Sequence, residues 1–541
     1  MALSSKTGFC TFAFASALVG VVVPVACGGS DTSAFKVAGS SSDATASSGQ
    51  MTGTGGSSLQ FMAGPSNGSG GDSASSTVST GTGEGGTGTA KYGYDVTYGG
   101  AGPTDTVALY DLALDKLGNV IVVGSFSGTI DFDGPGAAPA STSKGGFDAF
   151  VAKYDNKGIL KWVKTAGDNQ PQTANSVAVD KDNRIGFCGS FRGGMTFGGN
   201  TLQVQDSQYT DAYAVVLDEN GNHVASQRYG VGNGRSDSCA AVGFDPAGNL
   251  LATGQYQGEI NFGGAVNLIA PSPGGFRMYL AKLAPNAVSK GFTELLAKSY
   301  GGPDVTTQGL SVMSSADGDI AIAGWTDGPI NFGGATLTPK VGEQHRAVIA
   351  RLDSTGTPKF NQFFESDEDS QVSALTFHTN GDLIVGGQFK SSINLGGSPL
   401  KAVGGGDDIF VARFDKTNKL LHGVTFGDKL GDQLNDIGVD QAGFPVFGGS
   451  FQGTWNVNSA NPLVGQGIRD ALVVKLANDD GHGYWGKGFG DAQLQETRGI
   501  GVDTKGNVIF AGHFQGSVDF GGGLRTAPNG SQALFIASFL P

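Results

Sequence analysis

Groups that can ligate a metal, attack a carbonyl or move a proton are sparse in this chain, and few stand at telling spacings. Six histidines, His223, His345, His378, His422, His482 and His513, are scattered without a shared position, whereas a metal site needs ligands that converge on one point. There is no Cys-x-x-Cys pair, and no nucleophile elbow, P-loop or dinucleotide fingerprint stands out. Two acidic patterns remain. In a recurring Phe-Gly-Gly phrase the polar position is Asp131, Thr196, Asn261, Asn331, Asn394, Asn456 or Asp519, types that favour turns by bonding their own backbone. The second pattern is Asp105, Asp168, Asp237, Asp304, Asp367 with Asp369, Asp428 with Asp432, and Asp491 with Glu496. These lie between successive repeats. A ring of such carboxylates could hold Ca²⁺, which takes several oxygens, or a cationic partner; the other reading is a solvated rim of turn-forming aspartates. No other cofactor is expected. Cys188 and Cys239 fall at positions expected to be buried. They read either as a bridge, which an exported chain permits, or as two inert thiols.

The elements that must position these groups come from internal repetition. A phrase opening Gly-x-Phe and closing Phe-Gly-Gly has its leading glycine at Gly124, Gly189, Gly254, Gly324, Gly387, Gly449 and Gly512. Thr326 departs from the aromatic pattern in the fourth copy. An apolar strand and a turn such as Asp115–Asn119 precede each copy, and most are followed by a strand like Asp148-Ala149-Phe150-Val151-Ala152-Lys153. A fourth, shorter strand ends near Gly167-Asp168, Gly301-Gly302 or Gly490-Asp491. Four short strands per unit make one blade of a β-propeller, and stacked units bury one another's faces. The fold class is therefore all-β, a seven-bladed β-propeller over residues 91–541. The seventh repeat stops at its third strand, Ala533–Leu540, while Lys91–Gly100 before the first repeat reads like a fourth strand. The N-terminal strand is expected to complete the last blade and close the ring, removing two open sheet edges.

The run Gly118-Asn119-Val120-Ile121-Val122-Val123-Gly124-Ser125-Phe126, with Asp148-Ala149-Phe150-Val151-Ala152-Lys153, resembles the bacterial SBBP β-propeller repeats. That resemblance implies an exported propeller and no common activity. Residues 1–26 have the layout of a secretory signal: Lys6, an apolar run from Phe9, and small residues before Cys27. Cys27 makes this segment similar to a bacterial lipoprotein signal, although Pro24 stands where such signals usually carry Leu. From Cys27 to residue 90 the chain reads as a lipidation-site cysteine followed by a tether. Of the 63 residues 28–90, 40 are Gly, Ser or Thr, too few apolar groups to offset chain entropy.

The net charge of −14 leaves no basic surplus for nucleic acid. The expected function is a non-enzymatic, envelope-attached or surface-displayed binding or adhesion scaffold, monomeric, with an unidentified protein or glycan as partner and the membrane reached through its N-terminal lipid. The expected location is lipid-anchored, at the outer membrane or cell surface, or alternatively secreted. The alternatives in function are a propeller enzyme, of polysaccharide lyase or hydrolase type, acting at the channel mouth, and a structural envelope component.

Overall fold

Runs of valine, isoleucine and aromatic residues punctuated by Gly-Asn and Asp-x-x-Gly turns favour short strands, and strands are what form. The computed structural model describes residues 90–541 apart from 101, 135–139, 233, 271–273, 340–344, 458–461 and 529. The signal, Cys27 and nearly all of the tether lie outside these described residues.

The described residues build seven four-stranded antiparallel sheets. The first contains Thr106–Leu114, Val120–Ser127, Asp148–Tyr154 and Leu160–Ala166, side by side in chain order. Five more sheets repeat that order, their first strands being Gln172–Val179, Ser238–Phe244, Thr307–Ser314, Ser370–Phe377 and Gln433–Val439. The last holds Gln495–Val502, Val508–Phe514 and Ala533–Leu540, with Lys91–Tyr98 as its fourth strand. Lys91 stands opposite Leu540 and Tyr98 opposite Leu534. Arg525 Nε donates to Asp95 Oδ2 at 2.6 Å, so a hairpin of the last repeat also grips the N-terminal strand.

The strands Asp148–Tyr154, Asp211–Leu217, Arg346–Leu352 and Asp408–Phe414 are buried at every residue, because both faces of each sheet meet a neighbour. First strands of successive sheets pack side by side, and that of the seventh sheet packs against that of the first. Such up-and-down sheets joined through their faces define a β-propeller.

Three kinds of seam hold neighbouring sheets. In the first, the bulky residue of the Phe-Gly-Gly hairpin inserts against the aromatic ending the preceding sheet. Phe262 lies 4.9 Å from Tyr229, Phe332 4.7 Å from Tyr300 and Phe520 5.0 Å from Phe489, centroid to centroid. In the sixth repeat the large residue has moved two places, to Trp455, which stacks on Phe426. In the second, a third-strand cation reaches two sheets at once. Lys153 Nζ lies 2.9 Å from Asp115 of its own sheet and donates to Glu219 O of the next at 3.1 Å. Lys282, Arg351 and Arg413 repeat the arrangement with Asp245, Asp319 and Asp382. The third is covalent and single: Cys188 of the second sheet and Cys239 of the third form a disulfide with Cα atoms 5.8 Å apart.

Two outcomes are expected. A chain lacking Lys91–Gly100 exposes the Ala533–Leu540 edge, and its Tm should fall further than that of a chain shortened in a surface turn; equal Tm values would contradict the structural role of this strand. Replacing Cys188 and Cys239 by Ser should cost about 2–4 kcal/mol in denaturant unfolding, and an unchanged midpoint would show that the bridge does not hold the seam.

Candidate functional site

The carboxylates between repeats are built into the turns that surround them. Asp105 accepts the backbone N–H of Gly102 and Thr129. Asp168 accepts those of Gln170 and Gly194, Asp428 those of Leu430 and Thr454, and Asp491 those of Gln493 and Ser517. Thr129, Gly194, Thr454 and Ser517 all stand five residues after their marker glycines, so one clamp recurs in four sheets. Asp367 reaches the equivalent Ser392 through its hydroxyl at 2.5 Å. Gly128, Gly193, Gly453 and Gly516, just before or within these clamps, all have positive φ, and a Cβ there would strike the clamping carboxylate. Glycine is what lets the carboxylate approach the backbone.

Asp237 and Asp432 lie deeper and accept the N–H of Gln257 and Gln452; Asp369 accepts the N–H of His345, and Asp304 sits in a left-handed turn with φ 54°. The structure thus distributes these acids one connection at a time, and brings together Asp428 with Asp432, the Asp428 N–H donating to Asp432 Oδ2 at 3.2 Å. Among the described residues, the group whose side-chain oxygens and nitrogens converge as metal ligands could is a different one, Asp479, Asp480 and His482.

Glu496 departs from this pattern. At its register position the other sheets carry Ala108, Thr173, Ser238, Gln308, Gln371 and Gln433, all uncharged. Glu496 is buried and pairs with Arg498, with Arg469 at 3.5 Å and with His513 at 3.6 Å. Arg469 also bonds the Gln433 side chain, and His513 Nδ1 lies 3.3 Å from Leu109 O of the first sheet. Burial opposes the charge on Glu496, but nearby cationic charge, that of Arg498 foremost, outweighs it and holds the carboxyl below its usual range. Burial, then Arg498, lowers His513 to about 4, so the imidazole is neutral at pH 7. The cluster can position a charged or hydrogen-bonding ligand. Its own acid and bases are already matched to one another.

Sequence reasoning singled out Glu496 and His513 separately and missed Arg498, Arg469 and a further set at the inner edge. Every first strand has a β-bulge, with Tyr110, Asn175, Ala240, Leu310, Ser373, Asn435 and Arg498 as the extra residue. In four sheets the residue after the bulge reaches the next sheet. Asp111 Oδ2 accepts Val177 N at 2.8 Å, Ser176 Oγ accepts Val242 N at 3.2 Å, Ser311 Oγ accepts Leu375 N at 3.2 Å, and Asp436 Oδ2 accepts Ile500 N at 2.8 Å. Gly499 occupies that position in the seventh sheet, where a Cβ would lie 2.5 Å from Leu112 N; Asp111 Oδ1 bonds this N–H instead, at 2.7 Å. Burial, with the nearby Asp436 charge as second cause, raises the Asp111 pKa, and burial raises that of Asp436. The bulge register is the signal that would have found these residues, and it is hidden until the strands are paired.

No protein-family model matches the chain, so the likeness to SBBP repeats rests on the repeat residues themselves. A stretch of 263 residues is 26% identical to the regulatory protein FlaEY of Caulobacter vibrioides, covering 45% of this chain and 27% of that protein. The chain thus spans about a quarter of that relative's length. Among solved structures, Sqt1 from Chaetomium thermophilum aligns with a TM-score of 0.39 at 10% identity, over 84% of this chain and 99% of that one. The quinohemoprotein alcohol dehydrogenase of Comamonas testosteroni aligns with a TM-score of 0.38 at 12% identity, over 83% and 76%. Likenesses this distant assign no activity.

The buried acids generate a pH prediction. Burial raises Asp237 and Asp432 each to about 8, against about 3.9 in an unfolded chain. The folded state therefore binds protons that the unfolded state releases, and this contribution is lost as pH climbs from about 4 through about 8. Tm should fall over that window, and Asp237→Asn with Asp432→Asn should flatten the fall. A double variant with the parent's slope would rule out these two residues as its source.

Proposed function

We propose that the seven sheets are the blades of one closed ring, completed by Lys91–Tyr98, and that the ring is the head of a non-enzymatic, envelope-attached binding scaffold. The ring reading is supported at its closing seam: Val107 N donates to Gln532 O at 3.2 Å and His513 meets Leu109 O, contacts between the last repeat and the first. The observation that carries the scaffold reading is the pairing of the acids. The clamping carboxylates are bonded to backbone N–H groups, and the buried acid–base set around Glu496 is paired with its own arginines. An enzyme needs a group whose proton or lone pair is free for substrate. The ligand surface is then the channel mouth where Glu496, Arg498 and Arg469 break the repeat, with a protein or glycan as partner.

The lipoprotein-like signal and Gly/Ser/Thr leash support attachment to an envelope membrane through Cys27. With Cys27→Ser the protein should leave the membrane fraction and its mature mass should lose the acyl group; unchanged fractionation would overturn the anchor. An enzyme at the mouth, a polysaccharide lyase or hydrolase, keeps one supporting observation, the Glu496–His513 contact at 3.6 Å. Turnover of any polysaccharide by the full chain, abolished by Glu496→Gln, would replace the scaffold reading.

A further inference from the structure

Turns joining third to fourth strands follow one design in most sheets. Asp155, Asp218, Asp353 and Asp415 each open the turn and accept the N–H groups two and four residues on. The sixth sheet breaks it. Ala477 takes the place of the aspartate, and the turn runs on through Asn478, Asp479, Asp480, Gly481 and His482. Asp480 now accepts the His482 N–H at 3.0 Å. The Asp479 and His482 side chains are exposed; Asp479 accepts the Asp480 N–H at 3.0 Å and His482 Nδ1 lies 2.5 Å from Asp480 Oδ1, which leaves the second Asp479 oxygen and His482 Nε2 facing solvent.

This turn forms one wall of an open cleft of about 550 Å³ between the fifth and sixth sheets. Ligand sites commonly occupy about 300–1,000 Å³. The floor is aromatic: the Phe444 and Tyr484 rings lie 5.5 Å apart at 56°, and the half-exposed Leu421 extends the apolar surface. Asn478, Asp479, His482 and Arg413 complete the lining. Lys475 Nζ lies 5.1 Å from the Phe444 centroid, which leaves Tyr484 as the more accessible stacking ring.

We propose that this cleft binds a neutral saccharide. The inference rests on the scaffold reading and deepens it by naming a ligand class and a second site. A pyranose offers an apolar C–H face to an aromatic ring and a rim of hydroxyls to planar amide, carboxylate and imidazole groups; the cleft has this division of surfaces. Its open form suits a segment of a longer chain. Charge selects the neutral class: Arg413 is held by Asp382 at 2.7 Å and by Asn478 O at 2.8 Å, while Asp479 and Asp480 are exposed and repel anionic sugars.

The test is calorimetric titration of the full chain with maltohexaose, cellohexaose and chitohexaose, and with hexagalacturonate as the acidic comparison. At least one neutral hexaose should bind, Tyr484→Ala should weaken it about tenfold, and Asp479→Ala should weaken it several-fold while leaving Tm unchanged. Lys505→Ala, on an exposed turn of the seventh sheet, should leave this binding intact. Binding by none of the neutral hexaoses, preference for hexagalacturonate, or affinity untouched in Asp479→Ala and in a folded Tyr484→Ala would each overturn the site. Failure here with a mouth ligand still captured through Glu496 would sink the cleft alone; hexaose binding with a chain that never reaches the membrane would sink the envelope reading alone.

Discussion

The inner edge is the constraint on which the rest of the molecule depends. A first strand pairs on one side only, so N–H groups on its other side point away from the sheet, and buried donors without partners are costly. Four of the seven sheets meet this need at the seam with the sheet that follows. Asp111, Ser176, Ser311 and Asp436 accept N–H groups of the sheet that follows. A bulge just before each of them turns the side chain toward that neighbour. A seam lacking a side chain, at Gly499, is served from the other direction by Asp111. Two-oxygen acceptors are useful here because one carboxylate can serve its own strand and the next.

This arrangement explains why acids outnumber bases, 48 to 34, in a chain with little visible chemistry. Aspartate is the shorter of the two carboxylates, and its two oxygens accept backbone donors from different directions. The fold uses it in the turns beginning at Asp115 and Asp245, in the clamps at Asp168 and Asp491, and in the inner seam. Positions that escape this use are correspondingly informative. Glu496 stands beside the clamp, which Asp491 fills, and turns to two arginines; Asp479 accepts one N–H of its turn and keeps its second oxygen in solvent.

The repeating strands, the hairpin aromatics and the Asp-x-x-Gly turns were legible in the chain because each recurs in most repeats with its residue types kept. The turn role of Asn261, Asn331 and Asn394 was legible too, and each accepts the N–H two residues on. The inner seam was not, because its seven copies are Asp, Ser, Ala, Ser, Ala, Asp and Gly, and a bulge shifts them out of the alternating pattern that marks a strand. Arg469 was invisible for another reason. It belongs to the sixth repeat and acts in the seventh, across a distance that no local spacing records.

The most direct test of this account is residue-resolved amide hydrogen exchange on the full chain and its Asp111→Ala and Asp436→Ala variants. The account predicts faster exchange at Val177 in the first variant and at Ile500 in the second, one sheet beyond each substitution, with sheets remote from the substitution unchanged. Exchange that is unaltered at both amides, or that rises evenly throughout the chain, would contradict the claim that side chains after the bulges hold each sheet to the next.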